Sequence, residues 1–327
     1  MNPSIENNWF TFDILGASRR LSSVIHQTPL EYSKYFSDYF GAEVFFKRED
    51  IQITNSYKIR WAYNAIYSLF GKKSKKGRKI VCASAWNHSQ WVAYACRLIW
   101  VDGIIYMPRN TPALKVLKTK EYGWANINII LEGDCFNDAE ELAIRYSKEN
   151  NVAFIHPFNN HHVIEGQGTV GYEILQDWDN SSDIDAIIVP IWGWWLISGI
   201  IQSLKTTWSN ISIIGVQPLW ASSMKLSLDC WRKIKLDTID TFIDGASVKS
   251  PWDIPFSICG EYGVQVISVD NNSVINATRL LHTNWVHAEL AAWMSLAAME
   301  RLKPTLNWKR IVIIISWWNY DKEKIFG

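Results

Sequence analysis

Glycine is scarce in this chain: 17 of 327 residues, against a usual share of ~7%. No apolar run approaches the ~18 residues that a membrane-spanning helix needs, so no such span is expected. Neither charge is in excess, since 33 Lys and Arg meet 32 Asp and Glu for a formal net charge of +1. That balance excludes the broad basic surface of a nucleic-acid or membrane-surface binder. The start, MNPSIENNWFTFD, has neither a basic n-region nor an apolar h-region and does not read as a signal peptide, so a cytoplasmic protein is expected. Cys82, Cys96, Cys135, Cys230 and Cys259 are odd in number and form no CxxC pair. They read as reduced core thiols, not as metal ligands or a disulfide framework.

What is present is a regular alternation. Short β-branched runs at 44–46, 80–83, 103–107, 127–131, 186–191, 211–216, 264–269 and 311–316 read as strands. Between them, 57–69, 89–98, 113–122, 137–149, 168–176, 271–283 and 289–301 carry apolar residues at helical spacing. This order predicts an α/β fold with parallel sheets flanked by helices. Runs such as Ile187-Ile188-Val189 are apolar throughout, as strands buried on both faces are. Binding loops in such folds lie beyond the carboxyl ends of the strands. No internal repeat is seen. The basic stretch 71–79 lacks the spacing of a phosphate-binding P-loop and reads as a solvated connection.

Tryptophan is abundant where glycine is short. There are 19 tryptophans, and three groups follow expected strands: Ala85-Trp86-Asn87, Trp192-Gly193-Trp194-Trp195 and Trp317-Trp318-Asn319. Glycine admits positive φ and close backbone approach to a ligand; tryptophan does neither.

Lys58 is the first candidate for chemistry. It follows Lys47-Arg48-Glu49-Asp50 and Asn55-Ser56-Tyr57 at a loop-to-helix junction. Alone, such a lysine is ordinarily a solvated charge; Ser84 and Asn87 alone are turn residues; Ser316 alone is a strand-end cap. His156, His161 and His162 read as polar loop residues, and no metal site is expected. Taken in order with Ile155-His156-Pro157-Phe158, Glu165-Gly166-Gln167-Gly168-Thr169 and Phe242-Ile243-Asp244-Gly245-Ala246, these segments change the reading. Over nearly its whole length the chain resembles the threonine dehydratase family of pyridoxal-phosphate (PLP) enzymes, of the tryptophan-synthase-β fold type. It looks most like the biosynthetic branch that opens isoleucine synthesis.

The resemblance implies a two-domain PLP fold of type II. Residues 1–79 and 159–327 would form a large cofactor-binding domain and 80–158 a small substrate-side domain. Longer relatives carry a C-terminal regulatory domain beyond the last core strand, and none is expected in this sequence. By the same resemblance Lys58 and Ser84 are catalytic. Lys58 would hold PLP covalently and then take the substrate Cα proton, since an amine can be both nucleophile and base. Tyr57 stands where the family has Phe beside the cofactor, and Asn87 would bond its phenolic oxygen. Ser84, Ala85, Trp86, Asn87 and His88 would form the loop for the substrate carboxylate, with no proton-transfer role for His88. Trp192, Gly193, Trp194, Trp195 and Leu196 would cradle the phosphate at a helix N-terminus. Ser316 would face the pyridine nitrogen, where a neutral hydroxyl favours β-elimination over transamination.

The implied reaction converts L-threonine to 2-oxobutanoate and ammonia, with L-serine a weaker substrate, in a homo-oligomeric enzyme. A serine racemase or serine dehydratase of the same fold is the alternative. A catalytically dead relative, or a Trp-rich binding protein, is the reading if the tryptophans are real. By the resemblance, the family has glycine at most of the positions Trp61, Trp86, Trp91, Trp100, Trp124, Trp192, Trp194, Trp195, Trp220, Trp231, Trp252, Trp285, Trp308, Trp317 and Trp318. One residue type exchanged for one other, with Lys58, Asn87 and Ser316 kept, is not the signature of drift. The codon UGA, read as glycine in one genetic code and tryptophan in another, would produce it. Returning these positions to glycine brings the glycine share to about 10%, plausible for an α/β enzyme rich in binding loops.

Overall fold

The computed structural model describes residues 11–71, 77–84, 88–155, 160–178, 183–205, 211–282 and 288–316. The chain runs α1 (Ile14–Leu21), β1 (Leu30–Tyr32), α2 (Lys34–Phe40), β2 (Glu43–Arg48), α3 (Lys58–Phe70), β3 (Lys79–Ala83), α4 (His88–Ile99), β4 (Asp102–Met107), α5 (Ala113–Gly123), β5 (Ile127–Leu131), α6 (Phe136–Asn150) and β6 (Ala153–Phe154). It continues α7 (His161–Asp177), β7 (Ala186–Pro190), α8 (Trp195–Lys205), β8 (Ser212–Pro218), α9 (Ser223–Asp229), α10 (Asp253–Tyr262), β9 (Gln265–Val269), α11 (Asn271–His282), α12 (Leu290–Leu302) and β10 (Arg310–Ile315).

Two sheets organise these elements. The larger has six strands in the order β1-β2-β10-β7-β8-β9, and the smaller has four in the order β5-β4-β3-β6. Every pairing is parallel except β1 with β2. The reason lies in the side chains. In β7 all five residues are buried, and in β10 all but the first. Strands apolar on both faces need a helical layer on each side, and parallel β–α–β units supply it. The α/β class and its parallel sheets flanked by helices are therefore as the residue pattern predicts.

All eight expected strands form. The two additional ones, β1 and β6, span three and two residues, too few for an alternating pattern. The expected helices also form, while α1, α2, α8, α9 and α10 go beyond the expectation. α8 was hidden because nine of its eleven residues are buried, so it has no polar face to mark a helical period. α7 starts at His161, seven residues before the expected 168. Its glycines weaken the helical signal, yet packing requires them. A Cβ on Gly166 would meet the Arg60 carbonyl oxygen at 2.7 Å, and one on Gly199 would meet the Gly168 nitrogen at 2.4 Å. These contacts let α7 lie backbone to backbone against α3 and α8. His161 and His162 are thus first-turn helical residues, not loop residues: Asn160 caps the helix at the His162 N–H, 2.9 Å, and His162 Nδ1 lies 2.7 Å from Glu165 Oε2. His156 and most of the basic stretch 71–79 lie outside the described residues.

The cysteines need a correction. Cys82, Cys96 and Cys259 are buried, but Cys135 and Cys230 are exposed, so only three of the five are core thiols. Burial pushes Cys82 and Cys259 up to about 12 and raises Cys96 as well; a thiol held protonated is a poor nucleophile. A charged thiol reagent at neutral pH is expected to label Cys135 and Cys230 in the native protein. The other three should react only after denaturation, as peptide mapping would show. Among the described residues no helix is long and apolar enough to cross a membrane.

Candidate active site

The start of α3 and the carboxyl ends of β7 and β10 bring Tyr57, Lys58, Trp192 and Ser316 together. Lys58 is the first residue of α3, only 5% exposed. The Tyr57 N–H donates to the Ser316 carbonyl, 3.4 Å away, which ties the entry to α3 to the residue after β10. Ser316 is fully buried, and its Oγ has no hydrogen-bond partner among the described residues. A buried hydroxyl in that state costs ~1–3 kcal/mol unless a ligand or water satisfies it. Tyr57 is buried beside Lys58; burial, then Glu289 and Glu49, raise its phenol well above the ordinary value.

Ser84 directly follows β3 and is buried; its Oγ accepts from the Ser89 N–H at 3.0 Å, capping the first turn of α4. Ala85, Trp86 and Asn87 lie outside the described residues, as do Trp317 and Trp318; His88 opens α4. Beyond β7 the chain passes through Trp192, Gly193 and Trp194 into α8, where Trp195 and Leu196 form the first turn. Gly193 and Trp194 both have positive φ, 63° and 62°.

The aromatic contents of this frame are unusual. Lys58 Nζ lies 4.0 Å from the centroid of the Trp192 ring, 4.6 Å from Trp91 and 5.8 Å from Tyr57. Such cation–π contacts stabilise an ammonium, and they also fill the space around it. Trp194 and Trp195 are buried, with no hydrogen-bond partner for either indole N–H among the described residues.

A buried ionic group behind Lys58 is not legible as a unit in the sequence. Arg60, fully buried, donates Nε and Nη2 to Glu49 at 2.9 and 2.7 Å, Nη1 and Nη2 to Glu173 at 2.5 and 2.8 Å, and Nη1 to Thr169 at 3.0 Å. Lys47 Nζ adds contacts to Glu173 at 2.9 Å and to the Thr28 carbonyl at 2.6 Å. Burial opposes the ionised form of Glu49, but Arg60 beside it holds its carboxyl below the usual carboxylate range. Two bidentate carboxylates on one guanidinium fix α3 against α7 and the end of β2, and so fix where Lys58 emerges. The only signal in the sequence is the charged run Lys47-Arg48-Glu49-Asp50 at the end of an apolar strand.

A buried lysine at a helix start, a glycine-bearing turn into a second helix and a buried serine after a central strand suit covalent capture of a ligand through the amine. Comparison with known proteins agrees. The model of the family described as pyridoxal-phosphate dependent enzymes matches residues 21–316, and this chain belongs to that family. It is 37% identical over 310 residues to the biosynthetic L-threonine dehydratase of Halalkalibacterium halodurans, covering 94% of this chain and 74% of that one. Among solved structures, the processed form of threonine deaminase isoform 2 from Solanum lycopersicum superposes with a TM-score of 0.88 at 32% identity, covering 95% of this chain and 84% of that one. Maize serine racemase gives a TM-score of 0.86 at 31% identity, covering 96% and 94%.

The residues fit PLP in frame but not in filling. The unsatisfied Ser316 hydroxyl and the buried Lys58 suit it. Against this, the indole of Trp192 lies over Lys58 at 4.0 Å, and those of Trp194 and Trp195 are buried where the chain enters α8. The cofactor of this family is pyridoxal phosphate, and the three indoles crowd the frame that would hold it.

Proposed function

We propose that the glycine-bearing form of this chain is an L-threonine ammonia-lyase. It would convert L-threonine to 2-oxobutanoate and ammonia by β-elimination, in the cytoplasm and as a homo-oligomer, at the first step toward isoleucine. The observation that carries this reading is the hydrogen bond from the Tyr57 N–H to the Ser316 carbonyl, which ties the residue before Lys58 to the buried serine that follows β10. In this reading Lys58 anchors the cofactor and Ser316 meets its ring nitrogen. The backbone of 192–196 seats its phosphate, and Ser84 with residues 85–88 receives the substrate carboxylate. The name of the Halalkalibacterium halodurans relative supports threonine as substrate. The division into a large domain (1–79 and 159–327) and a small one (80–158) is part of the same proposal; it is supported by β3 to β6 forming one sheet and the remaining strands the other.

A second reading, serine racemization, is favoured by the fit to maize serine racemase. The residues around Lys58 do not separate the two, because one methyl group is worth only ~1–3 kcal/mol of discrimination. Turnover does. The glycine-bearing protein supplied with PLP is expected to release 2-oxo acid from L-threonine and, more slowly, from L-serine. D-serine as the main product from L-serine would replace this reading with the racemase. No product from either amino acid would leave the chain a dead relative.

A further inference from the structure

We propose that the functional polypeptide carries glycine, not tryptophan, at positions 100, 124, 192, 194, 195, 231 and 308, its UGA codons being read as glycine. This inference rests on the chain's place among PLP enzymes and not on which amino acid it consumes.

The backbone supplies the argument. Among the described residues, seven that are not glycine have positive φ, and five of them are tryptophan: Trp100, Trp124, Trp194, Trp231 and Trp308, at 52° to 62°. The other two are Asn55 and Asn151, the residue type that tolerates this region best after glycine. Bulky side chains are genuine outliers there, so five from one residue type is not a chance sample of the chain.

The molecule contains its own controls. α2, α6 and α10 each end in a left-handed residue, Gly41, Asn151 and Gly263. In each, the next N–H reaches back five residues: Ala42 to Ser37, Val152 to Ser147, Val264 to Cys259. This is the Schellman closure, whose left-handed residue is usually glycine. α4 and α9 close in the same way, Val101 N–H to the Cys96 carbonyl at 3.0 Å and Arg232 N–H to the Ser227 carbonyl at 3.1 Å, but through Trp100 and Trp231. α3 ends at Gly71 with φ 53° and ψ −145°; α5 ends at Trp124 with φ 52° and ψ −130°. That region is essentially reserved for glycine. Trp308 is the third residue of a turn closed by Lys309 N–H on the Leu306 carbonyl, 2.9 Å, again a glycine position when φ is positive.

Burial does not repay this strain at the exposed positions, although the Arg97 guanidinium lies over the Trp124 ring at 5.4 Å. Trp100, Trp124, Trp231 and Trp308 are all exposed, Trp308 by 93%. Trp194 and Trp195 are buried, and among the described residues neither indole N–H has a partner. Two tryptophans outside the family's glycine positions behave otherwise. Trp293 is buried and donates to the Ala288 carbonyl at 2.8 Å; Trp178 packs edge-on against Phe45 at 4.6 Å between centroids. At 192 glycine would remove the ring that lies 4.0 Å from Lys58 Nζ, and at 194 and 195 it would remove two buried indoles.

The test is peptide mass spectrometry of the protein isolated from the cells that encode it, with the gene's codons read alongside. Glycine masses are expected at all seven positions over UGA codons, with tryptophan at 178 and 293 over UGG. Tryptophan at any of the five positive-φ positions overturns the inference, and so does glycine at 293. The residue masses are read without an assay, so the two proposals separate. Glycine at these positions without threonine turnover sinks only the substrate reading. Tryptophan there with turnover sinks only this one.

Discussion

Lys58→Ala, made in the chain carrying glycine at 192, 194 and 195, is expected to lower 2-oxo acid formation from L-threonine by on the order of 10⁴-fold or more, the upper end for loss of a proton-transfer group, because the cofactor's covalent attachment is lost with it. Lys58 is buried, and its Nζ is the side-chain amine that the aromatic rings of Tyr57, Trp91 and Trp192 surround. The parent should retain a borohydride-fixed cofactor at residue 58 and the variant should not. Lys58→Arg keeps the charge but cannot serve as a base near neutrality, so it should fail as completely. Unchanged melting of both variants would separate loss of chemistry from loss of fold. Turnover within tenfold of the parent would remove Lys58 from the site.

The second large effect runs against the usual sign for trading an aromatic for glycine. Replacing Trp100, Trp124, Trp231 and Trp308 together by glycine is expected to stabilise the chain as written. Each left-handed non-glycine residue costs ~1–2 kcal/mol, partly offset by the ~0.5–1 kcal/mol that glycine's freedom in the unfolded chain returns. The net is about 1 kcal/mol per site and about 4 kcal/mol for the four. The four residues are 63% to 93% exposed, so the gain is offset in part by lost contacts such as that of Arg97 over the Trp124 ring, 5.4 Å. Trp293→Gly should do the reverse and cost at least ~3–5 kcal/mol, the range for emptying a large aromatic site, with the Ala288 carbonyl losing its donor as well. Urea midpoints at unchanged slope would measure both. A lower midpoint for the fourfold variant would show that the left-handed assignments are wrong.

Much of the fold can be read from local pattern. β7 and β10 announce themselves through unbroken β-branched runs, and α6 through apolar residues at helical spacing. α8 does not, because burial all round removes the contrast on which periodicity depends. The site is legible in pieces. Lys58, Ser84, Ser316 and the 192–196 turn are candidates only through the ordered set of segments that carries the family resemblance, since Lys58, Ser84 and Ser316 alone read as a surface charge, a turn residue and a strand-end cap. The Arg60 cluster cannot be read even so, because Glu49 and Glu173 lie 11 and 113 residues away along the chain and only folding brings them together. Glycine's replacement was visible as a compositional gap, but which tryptophans sit at left-handed backbone is set by how α4, α5 and α9 end.

The strand order has a consequence for synthesis. β10 is the last strand among the described residues, yet it lies in the interior of the six-stranded sheet, hydrogen-bonded to β2 on one side and β7 on the other. While the ribosome is still releasing the chain, β2 and β7 have no strand between them, and their apolar faces must wait. The four strands of the smaller sheet all emerge by Phe154 and can pair long before that, as domains that fold during translation do. Ser316 arrives with β10, so the buried serine tied to Tyr57 is put in place only when the larger sheet closes. A nascent or prematurely terminated chain therefore holds Lys58 without its counterpart. Assembly of the site is timed by the final strand, and not by the helix that carries the lysine.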